Sequence, residues 1–178
     1  MVYFRSDLSF ANQVWRQVCW ESFKCAISVF LSYIIFFLFI LFISKGAINN
    51  NVSRDFLKDL FGSNFYYSFP YLYYLIEGCL KFFIVPYIYA FFSCALVFIC
   101  NDIKRVILIP NLYYFGLSVI GFGLNYIIND YALYINPSSV MVIGSLNNVN
   151  SIAMIMFSCI PVFISFLIIY RRIHDVEI

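Results

Sequence analysis

The chain has 178 residues, of which 63% are hydrophobic and only 11% charged, with a net charge of +2. A water-soluble domain carries about 25% charged residues, so this composition excludes an ordinary soluble protein. So small a charge excess also argues against a nucleic-acid partner, and what remains is an all-α integral membrane protein.

Residues 1–24 interleave Leu8, Phe10, Val14, Trp15, Val18 and Phe23 with Arg5, Asn12, Gln13, Arg16, Gln17 and Glu21. The spacing is roughly helical and predicts an amphipathic helix lying in the membrane surface. Trp15 and Trp20, the chain's two tryptophans, suit that depth, because an indole has an apolar body and a polar N–H. Arg5, Asp7, Arg16, Glu21 and Lys24 leave no room for the compact apolar core of a cleavable signal peptide.

A bilayer-crossing helix needs about 20 apolar residues. Residues 25–44 meet that requirement and are bracketed by Lys24 and Lys45, whose stems can reach the interface. Residues 45–78 form an outer loop that begins polar and ends in Phe65, Tyr66, Tyr67, Phe69, Tyr71, Tyr73 and Tyr74. This density of rings predicts a short aromatic helix at 71–76, interfacial or re-entrant. Glu77 and Lys81 follow at a spacing of four, which suits an interfacial ion pair anchoring the next helix. Residues 79–100 form a second span, in which Pro86 should kink the helix near Phe82 and Phe83. Asn101, Asp102, Ile103, Lys104 and Arg105 make a tight polar turn. The third span covers 106–128, with Pro110 in its first turn, where a missing N–H is harmless. Gly116, Gly121 and Gly123, near Ser118 and Asn125, offer it one close-packing face. Residues 129–150 form an outer loop without Lys or Arg, 151–170 a fourth span, and 171–178 a charged tail.

Orientation follows from the cations. With the turn at 101–105 in the cytoplasm, four crossings put both termini there too. Arg5, Arg16, Lys24, Lys104, Arg105, Arg171 and Arg172 then lie inside, and only Lys45, Arg54, Lys58 and Lys81 outside. This bias agrees with the positive-inside rule, with Lys104, Arg105, Arg171 and Arg172 as the orientation anchors.

Groups for chemistry are scarce. The single histidine, His174, lies in the tail, and the six cysteines form no Cys-x-x-Cys pair, so no usual zinc pattern can be assembled. The spans hold no nucleophile–base pair, and no Gly-rich phosphate loop is present. We therefore expect no catalytic, cofactor-binding or metal-binding residue and no enzyme activity in this chain.

The texture from residue 65 onward is more informative. Phe65, Tyr66 and Tyr67, then Phe69, Pro70, Tyr71, Leu72 and Tyr73, lead into a long helix. The turn at 101–105 is followed by Val106, Ile107, Leu108, Ile109, Pro110, Asn111, Leu112, Tyr113 and Tyr114. This order resembles the permease subunits of type-2 ATP-binding cassette exporters, in particular small low-GC bacterial permeases linked to peptide export or peptide-antibiotic immunity. The likeness continues through Ile135, Asn136, Pro137 and Ser138 to a last span with the basic tail Arg171 and Arg172. Such permeases usually have six spans, so this chain resembles the later part of one. The resemblance implies a location in the bacterial cytoplasmic membrane and a separate ATPase subunit that binds the ATP. It also implies a second permease subunit or a homodimer, and an ATPase-coupling surface on the N-terminal segment at Trp15, Arg16 and Trp20. The alternative is a non-transport scaffold, assembly or immunity subunit acting by helix packing.

Alkaline phosphatase, active only outside the cytoplasm, tests the orientation. Fused after Arg105 or Arg172 it should be silent, and fused after Asn136 it should be active; the inverse pattern would reverse the topology.

Overall fold

The computed structural model describes residues 3–43, 63–128, 136 and 158–175. They form α1 (Tyr3–Ile43), α2 (Ser63–Ser68), α3 (Pro70–Cys79), a π-helical turn (Leu80–Ile84), α4 (Val85–Leu96), α5 (Ile103–Ile128) and α6 (Ile160–Asp175). Among the described residues there is no strand. Three stretches among them are long and apolar enough to cross a bilayer: Ala11–Ile43, Pro70–Leu96 and Ile103–Leu124.

The expected surface helix at 1–24 and the span at 25–44 are not separate elements. They form one helix of 41 residues, about 61 Å long at 1.5 Å per residue. The first 43 residues contain neither Pro nor Gly, so nothing interrupts the backbone ladder. The aromatic stretch at 71–76 is likewise not a separate helix, since helical structure continues from Pro70 to Leu96, a stretch long and apolar enough to cross a bilayer. Pro86 acts differently from a simple kink. It has no N–H for the Phe82 carbonyl, and its ring crowds that group; the widened turn Leu80–Ile84 lies over this place.

Two further expectations are corrected. Because α5 starts at Ile103, Pro110 lies inside the helix and not in its first turn. Nearby, the Asn111 side-chain amide donates to the Ile107 carbonyl at 2.8 Å, while the carbonyl that Pro110 leaves without its helical backbone donor is that of Val106. The expected glycine face is uneven. Among the described residues a Cβ on Gly116 or Gly123 would meet nothing within 4 Å, whereas Gly121 and Ser118 are buried. The side chain of Asn125 lies outside those described. Of the fourth span, residues 151–157 lie outside the described residues. Helix α6 runs on through the expected tail to Asp175.

Helix α4 is central and touches α1, α5 and α6. It buries Val85, Ile88, Phe91, Phe92, Ala95 and Leu96, which lie on more than one face because neighbours surround it. Helix α1 lies antiparallel to α4. Trp15 stacks on Phe91 (centroids 6.3 Å apart), Phe23 meets Phe83 edge-on (5.7 Å), and Phe37 reaches Tyr74 (6.4 Å). Val18, Ser22 and Ala26, four residues apart, are buried along α1 and, being small, permit close approach. The Ser22 hydroxyl donates back to the Val18 carbonyl at 2.7 Å, so its burial leaves no donor unsatisfied. Helix α6 repeats the device with Pro161, Ser165 and Ile169, where Ser165 donates to the Pro161 carbonyl at 2.6 Å.

Helices α4 and α5 form the expected hairpin. Tyr89 contacts Tyr113 and Tyr114, and Phe92 contacts Tyr113. Asp102 caps α5: its carboxylate accepts from the Lys104 N–H at 2.9 Å, satisfying a donor that a helix start leaves open. Away from the packed faces, Ile107, Leu108, Leu112, Phe115, Val119 and Ile120 of α5 are exposed, as suits a helix whose solvent is lipid.

Helices approach closely at Gly78. A Cβ there would fall inside the Tyr33 ring. That ring stacks on Phe82 at 4.6 Å, and its hydroxyl donates to the Tyr74 carbonyl at 2.9 Å. Gly78→Ala should destabilise the fold by about 1–3 kcal/mol through overpacking, read as a lower melting temperature in detergent. Combining it with Tyr33→Leu should recover part of the loss.

Candidate functional site

The α1–α4 register fixes the level of each side chain expected to matter. Trp15 lies beside Phe91, and Phe91 is five residues before the end of α4 at Leu96. Trp15 and Arg16 are therefore about 7–8 Å inboard of that end, alongside the hairpin and not beyond it.

Trp15, Arg16 and Trp20 do not share one surface. Trp15 is half-buried in the three-helix core with Val18, Phe91, Ala95 and Ile169, and its ring lies 4.9 Å from Phe166 of α6. It joins α1, α4 and α6. Trp20 is 56% exposed, stacks on Phe23 at 5.9 Å, and has the Lys24 ammonium 5.5 Å from its ring, within cation–π range. Arg16 is exposed.

Arg16 and Trp20 line an open groove of about 1050 Å³ between α1 and α4. One end carries Gln13, Arg16 and Gln17. The other carries Trp20 and Phe23 of α1 with Phe83 of the π-helical turn, and Cys19 and Tyr87 lie between. Residues 13, 16, 17 and 20 share a groove because helical neighbours recur every three to four positions. The polar half was visible in the sequence as the hydrophilic side of α1. Phe83 and Tyr87 were not, since only the packing register brings them across.

The charges around the groove are unevenly compensated. Glu21 and Lys24 form an ion pair at 2.8 Å, with both side chains about half exposed (49% and 52%). Among the described residues, Arg16 has no carboxylate partner; the carboxylate of Glu21 is engaged by Lys24.

Lys81 is 4% exposed and lies in the π-helical turn. It is eleven residues into the helical stretch Pro70–Leu96, well away from the outer edge where the sequence suggests an interfacial anchor. The side chain of Glu77 lies outside those described. Lys104 and Arg105 are exposed at the start of α5, and Arg171 and Arg172 are exposed near the end of α6. His174 lies against Tyr170 with centroids 4.5 Å apart. Among the described residues no three His, Cys, Asp or Glu side chains gather to hold a metal ion. The six cysteines are free thiols.

The arrangement is suited to binding and helix packing: a cation at the polar end of a groove whose other end is aromatic. No protein-family model, curated protein or solved structure matches this chain.

The two tryptophans should separate in a thermal-unfolding assay in detergent. Trp15→Ala opens a cavity among three helices and should cost about 3 kcal/mol or more. Trp20→Ala, at an exposed position, should cost less than about 1 kcal/mol.

Proposed function

We propose that this chain is a transmembrane subunit of an ATP-driven exporter, moving a hydrophobic or amphipathic peptide or lipid-like cargo across the bacterial cytoplasmic membrane. The observation that carries the reading is the order of features at the hairpin. An aromatic-rich approach and a long helix lead to a polar-basic turn; an apolar run follows, ending in Pro110 before Asn111, Leu112, Tyr113 and Tyr114. This is the order that resembles type-2 exporter permeases. The reading includes four crossings with both termini in the cytoplasm, a second permease subunit or a second copy, and ATP bound by a separate ATPase subunit.

In this reading the ATPase meets the tip of the hairpin. Lys104 and Arg105 are exposed there, whereas Trp15 is taken up by the core and Arg16 lies inboard. ATP-driven closure of the partner subunits presses on the tip. The push enters α4, which touches α1, α5 and α6 together, so these helices shift as a group and the path beside them opens. Trp15 serves as the joint between helices and not as the contact.

Purification from the native membrane in mild detergent tests the reading. An ATP-binding subunit should accompany the chain, and its ATPase should be stimulated. Reversing both charges at Lys104 and Arg105 to Glu should weaken that association by about tenfold or more, the loss of two charge-assisted contacts. Insertion should be unaffected, read as unchanged membrane yield. Recovery of a folded chain with no ATPase would favour the scaffold or immunity alternative.

A further inference from the structure

The groove at Arg16 has a direction. Its polar end, with Gln13, Arg16 and Gln17, is the end nearer the hairpin tip with Lys104 and Arg105, because α1 runs antiparallel to α4. Its aromatic end, with Phe23 and Phe83, lies deeper; Phe83 is thirteen residues before the end of α4, or about 20 Å. Between Arg16 and Phe83 the lining thus passes from cationic to aromatic over about 12 Å, with the mutually neutralised Glu21–Lys24 pair beside the aromatic end. That gradient suits a molecule with an anionic head and an apolar tail.

A guanidinium on the wall of a groove, inboard of the hairpin tip, is suited to an anion. A charge inside the hydrocarbon boundary costs several kcal/mol unless paired or hydrated. The neighbouring Glu21 is committed to Lys24, and Arg16 has no other carboxylate partner among the described residues. The volume of about 1050 Å³ is at the upper end of ordinary ligand pockets and is elongated along the helices, which suits a long molecule. A guanidinium also matches a phosphodiester in shape, since two parallel N–H groups can meet two oxygens.

We propose that this groove binds an anionic phospholipid from the leaflet on the Lys104–Arg105 side. Its phosphate lies on Arg16, its polar headgroup against Gln13 and Gln17, and one acyl chain along Trp20, Phe23 and Phe83. On the positive-inside orientation this is the cytoplasmic leaflet, whose surface is negative. The site does not require the exporter reading and stands or falls separately from the ATPase partner.

The test uses the full chain in detergent, probed by native mass spectrometry with phosphatidylglycerol or phosphatidylcholine added. The wild type should retain one phosphatidylglycerol about tenfold more readily than phosphatidylcholine, a factor equivalent to one strong charge-assisted contact. Arg16→Gln should abolish the preference while leaving the melting temperature unchanged. A second measurement needs no variant: in vesicles, acyl-brominated phosphatidylglycerol should quench tryptophan emission more than brominated phosphatidylcholine at equal mole fraction, because Trp20 lines the groove. Equal retention or equal quenching of the two lipids overturns the proposal, as does an Arg16→Gln chain that keeps the preference. Retention of a fatty-acid anion without phosphatidylglycerol also overturns it. Loss of the lipid preference with ATPase stimulation intact, or the reverse, separates this site from the exporter function.

Discussion

The antiparallel aromatic seam between α1 and the helical stretch Pro70–Leu96 is the contact on which the rest depends. Lipid tails are as apolar as the side chains they surround, so burial from water does not drive two membrane helices together; shape, ring contacts and hydrogen bonds must do so. Here Trp15–Phe91, Phe23–Phe83, Phe30–Phe83, Tyr33–Phe82 and Phe37–Tyr74 meet in turn along the interface. At roughly 0.5–1.5 kcal/mol each, such pairs together reach the scale of a domain's net stability. Gly78 and Ala26 let the backbones approach, and the Tyr33 hydroxyl on the Tyr74 carbonyl pins the register.

That register determines which polar groups of α1 sit alongside the apolar helices. If α1 were a surface helix followed by a separate span, Arg16, Glu21 and Lys24 would lie in the headgroups. As one continuous helix paired with α4, it places them alongside the hairpin. The molecule meets the cost in two ways: Glu21 and Lys24 neutralise each other, and Arg16 faces a groove. Placing the charges on the side of α1 away from Val18, Ser22 and Ala26 keeps the packed face free of them.

Four prolines lie within or at the start of the apolar helices, and their settings differ with position. Pro70 opens α3, Pro86 is accompanied by a widened turn, Pro110 lies inside α5, and Pro161 stands at the start of α6, with its own carbonyl accepting from Ser165. At Pro86 the adjustment is made within the same helix. That economy suits a bilayer, where water cannot supply a missing partner.

The sequence by itself determined the all-helical class, the hairpin and its turn. A charge-free run of about twenty residues has one low-energy form in a bilayer, and Asp102 before Ile103 is a helix-capping signal that needs no tertiary contact. The hydrophilic side of α1 was legible for the same reason, as a helical period of Gln, Arg and Glu. The length of α1 was legible in principle, because no Pro or Gly breaks it, but the switch from amphipathic to apolar at Lys24 read as a boundary. Only the tertiary structure decided that Trp15 belongs to the core while Trp20 faces outward, and that Phe83 and Tyr87 complete a groove with Arg16. It also decided that Lys81 is buried in a π-helical turn and that Gly116 and Gly123 have no close neighbour among the described residues. These depend on how far α1 is shifted along α4, and a helix that is apolar all round gives no sequence signal for that offset. It is set by which rings interlock and where a glycine lets them do so.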